Sequence, residues 1–238
     1  MCGRFTATFE FSDIRVRWNL DHDLSKYKLR FNIAPETSPQ HSRHCPAQGR
    51  QRVQAYALGV DTPLGRRPFH WCNRMINARA ETLTELPSFK PLVDRRRCII
   101  PADGFYEWRK EGKRKVPMWV YLKNRQPFVL AGLWEVWRKS DGKRVESFTI
   151  ITTEPNELVR PIHNRMPVIL KPEDEEPWLD ASRTPFVKAR LLLKPYPDEL
   201  MDAHDVSTVV NSAKYDGPEC IRPVSDDQIP AGRQLSLL

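Results

Sequence analysis

The second residue of the chain is a cysteine, followed by Gly3 and Arg4. A residue this small after the initiator predicts removal of Met1, which leaves Cys2 as the N-terminus with an α-amine and a thiol two carbons apart. A 1,2-aminothiol has specific chemistry. Its amine condenses with an aldehyde to an imine, and its thiol closes on the imine carbon to give a thiazolidine ring. Reference pKa values of about 8 for an α-amine and about 8.5 for a thiol leave nucleophilic fractions of both at neutral pH. While Met1 remains attached there is no free amine, so its removal is the precondition. The same residue also permits N-terminal-nucleophile hydrolysis, in which the thiol attacks an amide and its own amine serves as base.

Four further segments carry reactive side chains. Met75-Ile76-Asn77-Ala78-Arg79-Ala80-Glu81-Thr82 sets an amide and a guanidinium two residues apart, hence on one side of an extended stretch. Pro101-Ala102-Asp103-Gly104-Phe105-Tyr106-Glu107-Trp108 places a carboxylate among aromatics. Such surroundings tend to raise a carboxyl pKa and suit it to proton transfer near neutrality. Pro161-Ile162-His163-Asn164-Arg165-Met166-Pro167 puts a lone histidine just before a strand, and Phe31-Asn32-Ile33-Ala34-Pro35 offers an amide in a rigid turn. Each has an ordinary role open to it as well: Glu107 outward-facing on a strand, Asn77 and Arg79 solvent-facing, His163 hydrogen-bonded at the surface or in the core.

These side chains need a scaffold, and the chain has the length and apolar content for one domain or two small ones: 238 residues, 40% hydrophobic. Strand-like segments at 97–100, 104–109, 116–122, 128–137, 146–152 and 166–170 are rich in Val, Ile, Phe, Tyr and Trp, with turn residues between them. Short strands are also expected at Arg4-Phe5-Thr6, 52–59 and 205–210. Helices are expected from Ser12 to about Leu20, at 80–86, 154–160, 172–180 and about 184–193. Residues 21–50, with Pro35, Pro39, Pro46 and Gly49, read as loop, and 61–74 as a long Pro- and Arg-rich connection. Many short strands with few helices predict an α+β fold: a single domain over residues 1–224 built on a curved, barrel-like, mostly antiparallel β-sheet with flanking helices. Residues 225–238 are expected to be a polar tail.

The net charge of +8 is a moderate basic excess, consistent with a polyanionic partner or with a merely basic soluble protein. Arginines and lysines cluster at Arg66-Arg67, at Arg95-Arg96-Arg97 and over residues 110–115. Gly112 marks the last cluster as a hairpin tip, and its default reading is a solvated turn. Five cysteines, at 2, 45, 72, 98 and 220, have no CxxC pair. A disulfide framework is not expected. No metal is expected either: His41, His44, Cys45, His70 and Cys72 lack zinc-ligand spacing. No run reaches the length of a membrane span, and the N-terminus lacks a signal pattern, so a cytoplasmic location is expected.

Taken in order, Cys2-Gly3-Arg4-Phe5, Phe31-Asn32-Ile33-Ala34-Pro35, Ile76-Asn77-Ala78-Arg79-Ala80-Glu81, Ala102 through Trp108, and His163-Asn164-Arg165-Met166-Pro167 resemble the SOS-response-associated peptidase (SRAP) family, whose members process abasic sites in DNA. Val206-Ser207 through Val210-Asn211 and Pro218 to Ile221 look like that family's C-terminal strand, so the resemblance spans about residues 2–224. It implies covalent capture of abasic sites in single-stranded DNA by mature Cys2, with Asn77 orienting the α-amine, Glu107 as general acid/base and His163 as proton shuttle. Arg4 and Arg79 would hold flanking phosphates, where a planar fork matches phosphate oxygens. Asn32, Thr152 and Pro35 are further candidates for DNA contacts. The imine also acidifies C2′, so a lyase side reaction is implied.

The family's usual Trp-Gly-Leu-Ile-Pro segment is replaced here by Tyr56-Ala57-Leu58-Gly59-Val60-Asp61-Thr62-Pro63. Trp71 is a candidate for the missing base stacking, which tolerates any aromatic. The expected partner is single-stranded DNA carrying abasic sites, bound by a monomer without cofactor or membrane, at the nucleoid and replication fork. Two other readings stay open: a thiol peptidase or amidase, and a non-covalent single-strand-binding module.

Overall fold

The computed structural model describes residues 3–10, 17, 28–34, 41–47, 50–58, 75–138 and 144–224. Cys2, Pro35 and Trp71 lie outside the described residues, as do residues 225–238 and, apart from Arg17, the helix expected from Ser12. In chain order the strands are β1 (Arg4–Ala7), β2 (Arg30–Ile33), β3 (His41–Ala47), β4 (Arg50–Leu58), β5 (Asn77–Arg79), β6 (Arg97–Ala102), β7 (Gly104–Glu111), β8 (Arg114–Leu122), β9 (Phe128–Arg138), β10 (Arg144–Thr153), β11 (Met166–Pro167), β12 (Ile169–Leu170) and β13 (Met201–Asp205).

They form two sheets. The first is antiparallel throughout, in the order β13-β8-β7-β1-β2. The second runs β11-β10-β4-β3-β6-β9-β12, with β5 also on β10. An antiparallel pairing of β9 with β10, from Arg138↔Arg144 to Gly132↔Ile150, closes β10-β4-β3-β6-β9 into a ring. Among the described residues only the pairings of β10 with β4 and β5 are parallel. The fold is thus α+β on a curled, mostly antiparallel sheet, as expected.

The sequence accounts for this shape. Val129, Leu130, Ala131 and Leu133 of β9 are all buried, the mark of a strand covered on both faces. At Gly132, between β6 and β10, a Cβ would lie 2.4 Å from Ile100 Cδ1 and 2.8 Å from the Thr149 carbonyl oxygen, so a side chain would prise the strands apart. One apolar core joins the sheets: Phe5, Ile33, Phe105 and Val120 from the first pack with Ile99, Ile100, Leu130 and Ile151 from the second.

The chain passes from β6 to β7 through a single residue, Asp103. Its carboxylate accepts from Thr6 Oγ1 at 2.6 Å, from Thr8 N at 3.1 Å and from Thr8 Oγ1, which pins the end of β1 to the crossing between the sheets. Beside it, Gly104 leaves room for the Trp119 indole, whose Nε1 donates to Thr6 Oγ1 at 3.2 Å; a Cβ on Gly104 would sit 2.1 Å from that nitrogen.

Helices are fewer and shorter than expected. The expected 172–180 helix is α1 (Pro172–Leu179), with proline in its first turn followed by Glu173, Asp174 and Glu175. The expected 184–193 helix shortens to α2 (Phe186–Ala189) and a 3-10 turn at Arg190–Leu192. Residues 80–86 hold a 3-10 turn, Ala80–Thr82. Residues 154–160 form turns instead of a helix, because Pro161 has no N–H with which to continue one. The stretch read as loop contains β2 and β3, and the strand expected at 205–210 is β13 at Met201–Asp205 followed by a 3-10 turn at Thr208–Asn211.

Candidate active site

Glu107 lies midway along β7, opposite Met118 of β8, and is 1% exposed. Its Oε1 is 3.7 Å from Nδ1 of His163, which is carried on the turn before β11. That separation is an electrostatic pairing and longer than a hydrogen bond. Asn156 builds the turn: its Oδ1 accepts from Val159 N at 3.0 Å, its Nδ2 donates to the Tyr196 carbonyl at 2.8 Å, and His163 N then donates to the Val159 carbonyl at 2.8 Å.

His163 Nδ1 also faces the backbone of Arg165. The Arg165 N–H is 3.1 Å away and the Arg165 carbonyl oxygen 3.2 Å. The unprotonated nitrogen accepts from that N–H, and the protonated one donates to that oxygen or interacts with Glu107. The ring is therefore supported in both proton states, which suits a group that takes up and releases protons.

The Arg165 side chain joins a third segment to these two. Its Nη1 and Nη2 reach Glu81 Oε1 and Oε2 at 3.0 and 2.9 Å, a two-pronged pairing, and Nη2 also donates to the Thr152 carbonyl at 2.6 Å. Partial burial acts to raise the Glu81 pKa, but the hydrogen bonds from Arg165 outweigh it and hold the carboxyl below its ordinary value. Thr152 lies on β10 with Arg79 as its partner on β5 and Pro167 as its partner on β11. The 77–82 and 163–167 segments therefore flank the same end of β10, on opposite sides.

Asn77 opens β5. Both polar atoms of its amide are buried, and neither has a hydrogen-bond partner among the described residues. An orphaned buried amide costs about 1–3 kcal/mol, so it is a group held ready for a ligand or for another part of the chain. Arg79, two residues on, is exposed.

The other predicted DNA contacts have structural partners. The half-buried Arg4 donates Nη1 to the Val210 carbonyl and Nη2 to the Asn211 carbonyl at 2.9 Å, and its guanidinium lies 5.6 Å from the centre of the Trp108 ring. Burial lowers its pKa, while nearby Cys220 and Tyr106 act to raise it. Asn32 is 0% exposed, and its Nδ2 faces the carbonyls of Val210, Ser212 and Tyr215 at 3.1, 2.9 and 2.8 Å. Thr152 is 3% exposed, with its hydroxyl turned to the Ala78 carbonyl. Asn32 and Thr152, expected as DNA contacts, are both buried with their side chains turned to protein backbone.

Arg165 and Trp108 carry no role that the sequence alone reveals, yet both belong to the site. Trp108 Nε1 donates to Asn211 Oδ1 at 2.7 Å, so the 3-10 turn at Thr208–Asn211 borders the site. Glu107, Trp108, His163, Lys110, Lys115 and Arg160 line an open cleft of about 630 Å³, completed by Ile162, Asn164 and Asn211. The lysines come from the cluster read as a solvated turn; only the pairing of β7 with β8 brings them to the cleft. Among the described residues no cluster of His, Cys, Asp or Glu could hold a metal ion, and no helix is long and apolar enough to cross a membrane.

The family model for "SOS response associated peptidase (SRAP)" matches residues 1–213. Abasic site processing protein YoqW of Bacillus subtilis (strain 168) is 43% identical over 229 residues, covering 93% of this chain and 99% of that protein. Abasic site processing protein HMCES of Gallus gallus is 34% identical over 169 residues, covering 62% of this chain and 50% of that protein. Among solved structures, the crystal structure of a protein from Bacteroides thetaiotaomicron superposes with a TM-score of 0.83 at 28% identity, covering 94% of this chain and all of the other.

Proposed function

The chain belongs to the SOS response associated peptidase family, and from that premise we propose that it processes abasic sites in DNA by covalent capture through mature Cys2. The observation that carries the proposal is the register of β1 on β7. Arg4 pairs with Tyr106 and Phe5 with Phe105, so one step upstream sets Gly3, which is buried, opposite Glu107. Cys2 is bonded to Gly3, and consecutive Cα atoms are about 3.8 Å apart. This register supports a reading in which the N-terminal amine and thiol react beside a buried carboxylate paired with a histidine.

The substrate is the open-chain aldehyde of an abasic deoxyribose in a single strand, where no partner strand blocks the approach. The Cys2 α-amine adds to C1′ to give a carbinolamine, whose hydroxyl leaves as water to form the imine. The thiol then adds across the C=N bond: sulfur bonds C1′, the thiol proton goes to nitrogen, and a thiazolidine results. The balance is one water released and no change of oxidation state. Glu107 donates the proton that carries off the hydroxyl, after helping to open the sugar ring. His163 moves protons between the attacking groups and solvent, in the forward direction and in reversal. Asn77 accepts from the amine through Oδ1 and orients it, which satisfies the orphaned oxygen.

Arg79 meets a phosphate next to the lesion. Arg4 supports the site through its carbonyl contacts and the Trp108 ring. Elimination at C2′ of the imine is a competing lyase reaction, limited by how fast the thiol closes the ring. The protein acts as a monomer on DNA in the cytoplasm.

The test is incubation of the mature protein with a single-stranded oligonucleotide carrying one abasic site. A heat-stable conjugate is expected, with an intact mass equal to protein minus Met1 plus oligonucleotide minus water, and it is lost in Cys2→Ala. Absence of any conjugate with the Met1-free wild type overturns the reading.

A further inference from the structure

The hairpin joining β7 to β8 carries an arrangement that folding alone disfavours. Lys110 of β7 stands directly opposite Lys115 of β8. Like charges at such facing positions destabilise a sheet. The neighbouring charges do not relieve the pair: Glu111 is taken by Arg109, whose Nε and Nη2 reach Glu111 Oε1 at 3.0 and 2.7 Å, and Arg109 also bonds Asp205 at 3.0 Å. Among the described residues neither lysine has an acidic partner. Both are exposed and both line the cleft that contains Glu107 and His163, where Arg160, paired with Glu157 at 2.9 Å, adds a third cation. Gly112, at φ +58, makes the tight turn that holds the two strands in this register.

We infer that Lys110, Lys115 and Arg160 form a phosphate track that receives the phosphodiester backbone on one side of the captured nucleotide. This inference rests on the reading of the cleft as an abasic-site pocket and extends it from the lesion to the strand that bears it. Cations contributed by two separate segments of the lining, the β7–β8 hairpin and the turn before His163, fit a linear polyanion better than a compact anion. The contacts are to phosphate and are indifferent to base sequence. The mutual repulsion of Lys110 and Lys115 in the free protein is relieved when phosphates lie between them.

The experiment measures affinity for an intact single-stranded oligonucleotide, without an abasic site, as a function of salt, for the wild type and for Lys110→Ala/Lys115→Ala. Each phosphate contact to a single strand contributes roughly 0.7 to the slope of log affinity against log salt, so losing two flattens it by about 1.4. The affinity lost between about 50 and about 200 mM salt then shrinks by about 7-fold relative to wild type. Lys90→Ala/Lys194→Ala removes the same charge from exposed positions outside the cleft and is expected to leave the slope unchanged.

An unchanged slope in the Lys110/Lys115 variant, or the same flattening in both pairs, overturns the track. So does a loss of affinity confined to an oligoglutamate of equal charge, which points to an acidic polypeptide. Wild-type conjugate formation on an abasic strand is read in parallel. Conjugate without a slope change removes the track alone, whereas a slope change without any wild-type conjugate removes the covalent reading and leaves the track standing.

Discussion

Nδ1 of His163 lies 3.7 Å from Oε1 of Glu107, across a boundary between two sheets: Glu107 belongs to β7 of the antiparallel sheet, His163 to the turn that leads into β11 of the barrel. Neither sheet alone makes the pair. It depends on the shared core that sets the sheets against each other and on the Arg165 backbone that brackets the imidazole.

In the proposed mechanism the pair divides the proton work. Glu107→Gln keeps the shape and removes the acid, and is expected to slow conjugate formation by about 10²–10⁴-fold, the usual contribution of a positioned acid or base. His163→Ala is expected to slow formation and reversal alike. Single-turnover time courses in both directions check this, and equal rates in either variant and the wild type contradict the assignment.

Glu81 and Arg165 offer a pH test. The folded-state pKa of Glu81 lies below its ordinary value, so the stability this pair contributes is present above the unfolded-state pKa and is lost as pH falls through the folded-state value. Glu81 is half exposed, which limits the pair to about 1 kcal/mol. Glu81→Gln is therefore expected to lower the melting temperature at neutral pH and to match the wild type in strong acid. A constant difference across the pH range contradicts the linkage.

What the sequence shows well here is whatever rests on local chemistry. The β-rich runs at 97–137 appear as strands because branched and aromatic residues fill them, and the 102–108 segment resolves residue by residue: Asp103 pins β1, Gly104 admits Trp119, Tyr106 donates its hydroxyl to the Phe31 carbonyl at 2.6 Å, and Glu107 enters the site. What it hides depends on contacts distant in the chain. β13 reads Met201-Asp202-Ala203-His204-Asp205, an alternation too short and too weakly apolar to mark a strand, and is one because the edge of β8 pairs with it. Asn32 has the same amide as Asn77, and only the fold separates them: one faces three carbonyls of the 210–215 segment, the other faces none among the described residues.

That contrast has its own consequence for Asn32. Removing its amide takes one donor away from the Val210, Ser212 and Tyr215 carbonyls, of which Val210 keeps Arg4, and loosens a segment that Asp216 otherwise ties to the backbone N–H groups of Phe31 and Asn32 at 2.6 and 2.9 Å. Asn32→Ala is expected to cost about 2–3 kcal/mol in urea unfolding and to raise hydrogen exchange around residues 207–216. Wild-type stability with unchanged exchange contradicts a clamping role.

Gly104 tests the packing behind the site. A methyl there would overlap the Trp119 indole, which is buried and anchored through Nε1 to Thr6, so the ring has to shift and its hydrogen bond is strained. Gly104→Ala is expected to lose about 1–3 kcal/mol by thermal or denaturant unfolding. Stability equal to wild type contradicts the tight fit.

Asn77 is expected to behave in the opposite way. Its buried amide has no partner to lose among the described residues, so truncation removes an unsatisfied donor and acceptor along with a few packing contacts. Asn77→Ala should therefore melt close to the wild-type temperature, losing at most its bond to the α-amine, while conjugate formation falls by an order of magnitude or more, because the α-amine loses the group that orients it. A residue kept for folding shows both losses together; a residue kept for chemistry shows the second without the first. Parallel melting and single-turnover measurements separate the two cases, and a destabilised Asn77→Ala that still forms conjugate at the wild-type rate overturns the role given to this amide.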